Sequence, residues 1–450
     1  MKQYDVIFIG SGHATWHGAT KLAAAGKKVA LVEGDTLFGT CTNYGCNAKM
    51  LLDGPADLIH QTHAYQQTGL TGEVKIDWPS LMKFKHQVLD ADPDHHSIRE
   101  AFPKMGIDII DGWGQISDAH HVKVGPDEYE TDYIVIGSGL RPAKLEIPGK
   151  EFLHDSREFL DIPEMPKHLT FIGGGFISYE FADLARAAGA EVDIISHSDR
   201  PLRSFYSKYV QKLTHQLADR GINFEFNQSV TSVTKTDDGL VVKTDTGNEI
   251  KTDYVLDATG RIANYEQLGL EALGIEADSN GITVDDHLRT SVPNIFASGD
   301  VVKKSQPKLT PTAAYESNYI AKLLLGKTDQ ALSYPPIAEI IFALPRLSQV
   351  GVKVDAVKND DQYQIKRIPY GRVVFETKNE PTAEATVVLN AKNEIVGATV
   401  LGNQAGPLAN LLSVIISKHM TPDDVNNDMI MAFPDESFGL FQMLSGELPG

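Results

Sequence analysis

Cys41 and Cys46 are the two cysteines of this 450-residue chain, and they stand in the segment Gly39-Thr40-Cys41-Thr42-Asn43-Tyr44-Gly45-Cys46-Asn47-Ala48-Lys49. Thiols at this spacing could bind a metal, pack as inert side chains or form a bridge that opens and closes. A zinc site asks for four ligands, and two cysteines without a partner cluster supply too few. Five positions along a straight helix rise about 7.5 Å, beyond the roughly 4.4–6.8 Å between the Cα atoms of a disulfide. A bridge therefore calls for a distorted turn, of the kind Asn43 and Gly45 tolerate. In a cytosolic chain so short a loop gains little from a staple, which favours a redox centre over a pair of packed free thiols.

Such a pair needs elements to position it and a source of electrons. Tyr4-Asp5-Val6-Ile7-Phe8-Ile9 reads as a buried strand. Gly10-Ser11-Gly12-His13-Ala14-Thr15 then opens a helix that ends at Gly26, and a second strand, Val29-Ala30-Leu31-Val32, stops at Glu33. This is a Rossmann unit: glycines admit a pyrophosphate to the helix N-terminus, and the acid accepts bonds from a ribose diol. Thr15 stands where the third glycine is usual, which predicts wider packing of helix on strand. The pattern recurs in His168-Leu169-Thr170-Phe171-Ile172 followed by Gly173-Gly174-Gly175-Phe176-Ile177-Ser178 and the strand Glu191-Val192-Asp193-Ile194-Ile195. Here the second strand runs into Ser196-His197-Ser198-Asp199-Arg200, with Arg203 close behind. Hydroxyls and guanidinium groups suit a 2′-phosphate that a carboxylate would repel, so NADPH is favoured over NADH, although Asp199 counts against this.

Strand-to-turn segments Tyr133–Gly139 and Tyr254–Gly260 lie where the chain passes between nucleotide folds, and Asn294–Asp300 places Asp300 to hold a polar chain such as a ribityl group. From about Pro336 onward there is no glycine-rich loop, only strand patterns and the apolar helix Leu408–Ile416, so an α+β domain with a face to bury is expected. The composition is that of an ordinary globular protein, 42% hydrophobic and 22% charged. No charged-then-apolar leader precedes the first strand and no apolar stretch reaches bilayer length, so a cytoplasmic protein that does not enter membranes is expected. A formal charge of −19 disfavours nucleic acid as a partner.

With these motifs in place, the whole chain resembles the FAD-dependent pyridine nucleotide-disulfide oxidoreductases, the group of glutathione reductase, dihydrolipoamide dehydrogenase and mercuric reductase. The resemblance implies an α/β fold with an FAD domain (1–150 and 265–335), an inserted NAD(P)H domain (151–264) and a dimerisation domain (336–450) that forms a homodimer. It implies that Cys46 is the charge-transfer thiol beside the flavin and Cys41 the interchange thiol. Lys49 would lie near flavin N5 with Glu180 as its ion-pair partner, and Phe176 would gate the nicotinamide pocket where tyrosine is usual. Gly10, Gly12, Glu33, Thr40 and Asp300 would hold FAD; Gly173, Gly175, Phe176, His197, Arg200 and Arg203 would hold NAD(P)H.

The chain departs from this family near its C-terminus. Disulfide reductases of the group carry a His-Pro with a glutamate five residues after the histidine, and that histidine protonates the leaving thiolate. The corresponding segment reads Met431-Ala432-Phe433-Pro434-Asp435-Glu436-Ser437-Phe438, with phenylalanine in both places. Thr20 and Asn318 replace the arginines that grip glutathione carboxylates. The expectation is an NADPH-dependent flavoenzyme passing electrons through Cys41 and Cys46 to a small-molecule or protein acceptor other than glutathione. A metal-ion or quinone reductase, or a flavin-binding redox sensor, are the alternatives. The C-terminal cysteine pair of mercuric reductases is missing, and Phe438 separates the chain from the carboxylating member that also carries phenylalanine at the first position. Among His13, His17, His95 and His96, surface or packing roles are the commoner outcome, and His13 is the best placed to substitute for the missing acid.

Overall fold

The computed structural model describes residues 2–372 and 380–446. The chain falls into two compact units. The first comprises Met1–Leu51, Met82–Ala143 and Gly260–Ser333, the second Leu52–Leu81, Lys144–Thr259 and Tyr334–Gly450.

In the first unit, strand β1 (Lys2–Ile9) leads into helix α1 (Trp16–Ala24) and strand β2 (Val29–Glu33). β1 and β2 pair in parallel with Val6 opposite Val29 and Ile9 opposite Val32, the crossover arrangement that a helix between parallel strands produces. Ile107–Asp111 pairs beyond β2, and Asp127–Ile136 on the other side of β1. Ile295–Ala297 joins Asp127–Ile136 in parallel, and two antiparallel strands, His121–Val124 and Gly114–Asp118, complete the sheet. Along β1, Val6 and Phe8 enter one hydrophobic cluster with Leu22 and Ile320, while Ile7 and Ile9 enter another with Ile134 and Ile295. Both faces of the sheet are covered, which is why the strand reads as a continuous apolar run.

α1 lies close against the helix Thr310–Leu324 because both present small residues. A Cβ on Gly18 would fall 2.6 Å from the Ser317 carbonyl oxygen, and the Gly18 N–H donates to Ser317 Oγ at 2.9 Å. After β2 the chain forms the short helix α2 (Gly39–Tyr44), breaks at Gly45, and starts helix α3 (Cys46–Tyr65). The first turn of α3 belongs to the first unit and its course from Leu52 onward to the second.

In the second unit, His168–Ile172, Glu191–Ser196, Ile222–Phe226, Tyr254–Asp257 and Leu153–His154 form a parallel sheet, with a separate three-stranded antiparallel sheet over Val230–Thr252. The helix Phe176–Ala187 buries every residue from Ser178 to Ala185, as a helix enclosed on most sides must. The C-terminal part is a five-stranded antiparallel sheet in the order Glu339–Ile341, Leu347–Gly351, Ile395–Leu401, Glu384–Leu389, Gln364–Ile368. Its covering helix, Ala405–Ser417, packs Leu408, Leu412 and Ile415 into the cluster beneath and leaves Val414 exposed. Arg346 anchors the later turns of α3 through Asp53 at 2.7 Å and Asp57 at 3.6 Å. Among the described residues no helix is long and apolar enough to cross a membrane.

Candidate active site

The break at Gly45 brings the two cysteines together. A Cβ on Gly45 would sit 2.7 Å from the Thr40 carbonyl oxygen, so the turn closes tightly on the start of α2. Cys41 and Cys46 are thiols here, hydrogen-bonded to each other, with Cys41 half-buried and Cys46 exposed. The bond divides their acidities. Cys46 falls to about 6, chiefly because Cys41 donates to its sulfur, with further help from Thr310 and from the positive charge of Lys49. Cys41 is raised by the same bond and by burial. The opposite shifts favour ionisation at Cys46 over Cys41, and the thiolate is the form that nucleophilic and redox chemistry requires. Thr310 Oγ1 lies 3.7 Å from Cys46 Sγ.

The four histidines singled out by the sequence are placed unequally. His13 Nδ1 lies 3.0 Å from His17 Nε2, and the His17 ring stacks on Trp16 at 3.6 Å between centroids. Burial lowers the pKa of His13, and burial together with His13 takes His17 down to about 4. Both are neutral at neutral pH, which counts against His13 as a ready acid. His95 bonds to Asn43 at 2.8 Å, whereas His96 is exposed and paired with Glu100.

The first glycine turn fits a dinucleotide. Gly10 has φ 98°, and a Cβ there would strike the Gly137 carbonyl oxygen at 2.6 Å. Thr15 is buried; its methyl lies where a Gly137 side chain would be, 2.3 Å from the ideal Cβ position, while its hydroxyl donates to Gly12 O. The missing third glycine is thus compensated by a glycine on the neighbouring strand, and the wider packing expected from Thr15 is not needed. α1 has no side-chain cap and no acid in its first turn, so nothing there repels an anion, although the Trp16 and Gly18 N–H groups already donate to the Gly12 carbonyl and to Ser317 Oγ. Glu33 accepts from Ser11 N and Oγ at 3.0 and 2.6 Å and from Asp35 N at 2.9 Å. Beside it Trp113, 62% exposed, lies on Gly34, whose Cβ would come within 2.5 Å of the indole. Asp300 is half-buried and its pKa is raised by burial; Thr40 is exposed on the first turn of α2.

The second turn repeats the geometry. Gly173 has φ 119° and would clash with the Ala258 carbonyl oxygen at 2.4 Å, and Gly175 starts the uncapped helix Phe176–Ala187. Phe176 is 52% exposed at its first position. Glu180, in the same helix, is buried and accepts from the Phe342 N–H at 2.9 Å. Beyond the second strand, Arg203 meets His197 Nε2 at 3.1 Å and Arg200 meets Asp355 at 3.2 Å. A cavity of about 320 Å³ is lined by Arg200, Arg203, Ser204, Tyr206, Lys353 and Asp355. At the C-terminus, Phe433 and Phe438 meet edge to face at 5.1 Å, with Phe433 63% exposed. Sequence reasoning missed Thr310, Trp113, Lys353 and the His95–Asn43 bond; each depends on a contact between distant segments.

Residues 4–317 match the family Pyridine nucleotide-disulphide oxidoreductase, and residues 337–435 match its dimerisation domain. The chain belongs to this family of FAD-dependent oxidoreductases. It is 30% identical over 444 residues to the glutathione reductase of Nostoc sp. (strain PCC 7120), covering 94% of this chain and 95% of that one. It is 27% identical over 441 residues to the dihydrolipoyl dehydrogenase of Halobacterium salinarum, covering 94% and 91%. In fold it is similar to the HOCl-induced flavoprotein disulfide reductase RclA from Escherichia coli, with a TM-score of 0.87 at 24% sequence identity over 98% of this chain and 100% of that one.

Proposed function

We propose that this chain takes electrons from NADPH and passes them by way of FAD and the Cys41–Cys46 pair to an acceptor other than glutathione, working as a homodimer. The observation that carries this reading is the helix break at Gly45, which brings the Cys41 and Cys46 thiols together beside Thr310. FAD, when bound, supplies two-electron exchange between a hydride donor and a disulfide. The glycine turn from Gly10 to Gly12, at the start of α1, would face its pyrophosphate, Glu33 its ribose, Asp300 its ribityl chain and Trp113 its adenine; Thr40 completes the cradle.

When the disulfide opens, the pair takes up two electrons and one proton. Cys46 keeps its charge because Cys41 and Thr310 hydrogen-bond to it and Lys49 stands near. Cys41 is the thiol offered to the acceptor. In this reading Lys49 stands near the flavin, and Phe176 covers the nicotinamide pocket. Arg203, Lys353 and the part of Arg200 not taken by Asp355 favour a 2′-phosphate.

The acceptor side is apolar where an acid is usual. Phe433 and Phe438 carry no proton, and His13 and His17 are neutral, so a disulfide that must be protonated as it leaves is poorly served. A second reading, reduction of a metal ion, draws on the same fact: neutral imidazoles are ligands rather than acids, and an ion that gains an electron needs no proton. RclA, alike in fold, has also been solved as a Cu(II) complex. The test is an anaerobic NADPH titration of the purified holoprotein, followed by a panel of disulfide, quinone and metal-ion acceptors. Rapid reoxidation by oxidised glutathione overturns the main reading. Reduction by NADPH with no turnover of any acceptor would instead favour a redox sensor.

A further inference from the structure

We propose that His95 is a positioning residue for the thiol pair: through Asn43 it fixes the segment between Cys41 and Cys46 and so sets how the two sulfurs share their proton. The inference rests on the reading of that pair as the redox centre. Asn43 Nδ2 donates to the Leu37 and Gly39 carbonyl oxygens, both at 2.8 Å. Carbonyls only accept, so the orientation of the amide is fixed and Oδ1 is its accepting side. His95 Nε2 lies 2.8 Å from that oxygen. Nε2 therefore carries the hydrogen, and the tautomer of His95 follows from the backbone of the redox segment.

A second contact holds the ring. It stands edge-on to Phe38 at 5.2 Å and 78°. The Phe38 N–H donates to Ser11 Oγ at 2.8 Å, and that hydroxyl donates to Glu33. His95 thus touches the residue just before α2 and a residue inside it, and the first of these is tied to the glycine turn.

The backbone bears a cost at this point. Asp94 and His95 are consecutive non-glycine residues in the left-handed region, at φ 55° and 53°, and Phe38 is a third at φ 70°. Such conformations are retained only where surrounding contacts over-determine them, and here those contacts are the Asn43 bond and the Phe38 ring. Without His95 the Asn43 Oδ1 loses its donor and the amide is held by its two Nδ2 bonds alone, so the turn between the cysteines loosens and the sulfurs hold their hydrogen bond less of the time.

Two substitutions separate the hydrogen bond from the packing. His95→Gln keeps a donor for Asn43 and loses the ring; His95→Phe keeps a ring against Phe38 and loses the donor. Each holoprotein, with FAD content and far-ultraviolet circular dichroism matched to the unmodified protein, is reduced anaerobically by two electrons. The long-wavelength thiolate-to-flavin absorbance and the rate of alkylation by iodoacetamide are then read. His95→Phe should shift both by about 3–10-fold, the range that loss of one hydrogen bond produces, and His95→Gln should stay near the unmodified protein. An unshifted His95→Phe, or equal shifts in the two variants, overturns the positioning role. Absence of the band in the unmodified protein is a different failure, that of the redox-pair reading itself.

Discussion

The two glycine turns solve one steric problem identically and an electrostatic problem in opposite ways. Gly10 and Gly173 both hold a positive φ against a carbonyl oxygen of the next parallel strand, Gly137 and Ala258 respectively. Between its glycines the first turn carries Ser11, whose hydroxyl is committed to Glu33. The second carries Gly174, because a Cβ there would lie 2.8 Å from Ser196 Oγ. One site keeps a hydroxyl on the turn and an acid on the strand; the other keeps no side chain on the turn and a hydroxyl on the strand, with arginines beyond. Backbone shape admits a dinucleotide, and the end of the second strand selects which one. The thiol pair follows the first turn and has no counterpart after the second.

That last difference gives the largest expected effects. Cys46→Ser should abolish the long-wavelength band on two-electron reduction, while Cys41→Ser should preserve or strengthen it; the reverse would exchange their roles. On the reading that Phe433 and Phe438 replace the acid and its carboxylate, oxidised glutathione should turn over about 10²–10⁴-fold more slowly than in a relative with the histidine. Steady-state rates with the Nostoc enzyme alongside would check this.

The shared glycine geometry can be broken at either site. Gly10→Ala should weaken FAD retention, and Gly173→Ala should leave FAD bound but weaken NADPH, each by about 5–100-fold for a strained backbone of about 1–3 kcal/mol. Flavin content after gel filtration and stopped-flow reduction separate the two, and loss of FAD in both would mean the sites are not independent.

The strand-end contrast predicts a smaller change. Arg203→Gln should cost NADPH about tenfold through one lost charged hydrogen bond and leave NADH unaltered, with Arg200→Gln costing less because Asp355 already engages that guanidinium. Smallest is the pH effect. The depressed pKa of Cys46 means the thiolate is present above about pH 6 and is lost as pH falls through that value, so the long-wavelength band should fade below it. A band that persists unchanged to pH 5 would show a more acidic thiol.

Much of this was legible because it is local. The runs Tyr4–Ile9 and His168–Ile172, each followed by glycines, announce a strand and a turn within a few residues. What could not be read joins distant segments. Thr310 reaches Cys46 across the first unit, and His95 reaches Asn43 from the turn Pro93–His95, 52 residues further along the chain. Lys353 and Asp355 come from the C-terminal part of the chain to a cavity beside Arg200. Glu33 looked free for a ribose; its bonds to Ser11 show that the same carboxylate also braces the turn.

The packing of Thr15 on Gly137 makes two positions in different elements behave as one volume. The space a third glycine would leave beneath α1 has moved to the far side of the contact, so the total is conserved while its location is not. Gly137→Ala alone should therefore be severely destabilising, and Gly137→Ala with Thr15→Gly should recover most of the loss, in a thermal-unfolding cycle whose coupling energy is large for two residues so far apart in sequence. A comparison that scores each position separately would count Thr15 as a defect in the motif and Gly137 as an unrelated glycine. Read together, they are a single glycine requirement met from the opposite side.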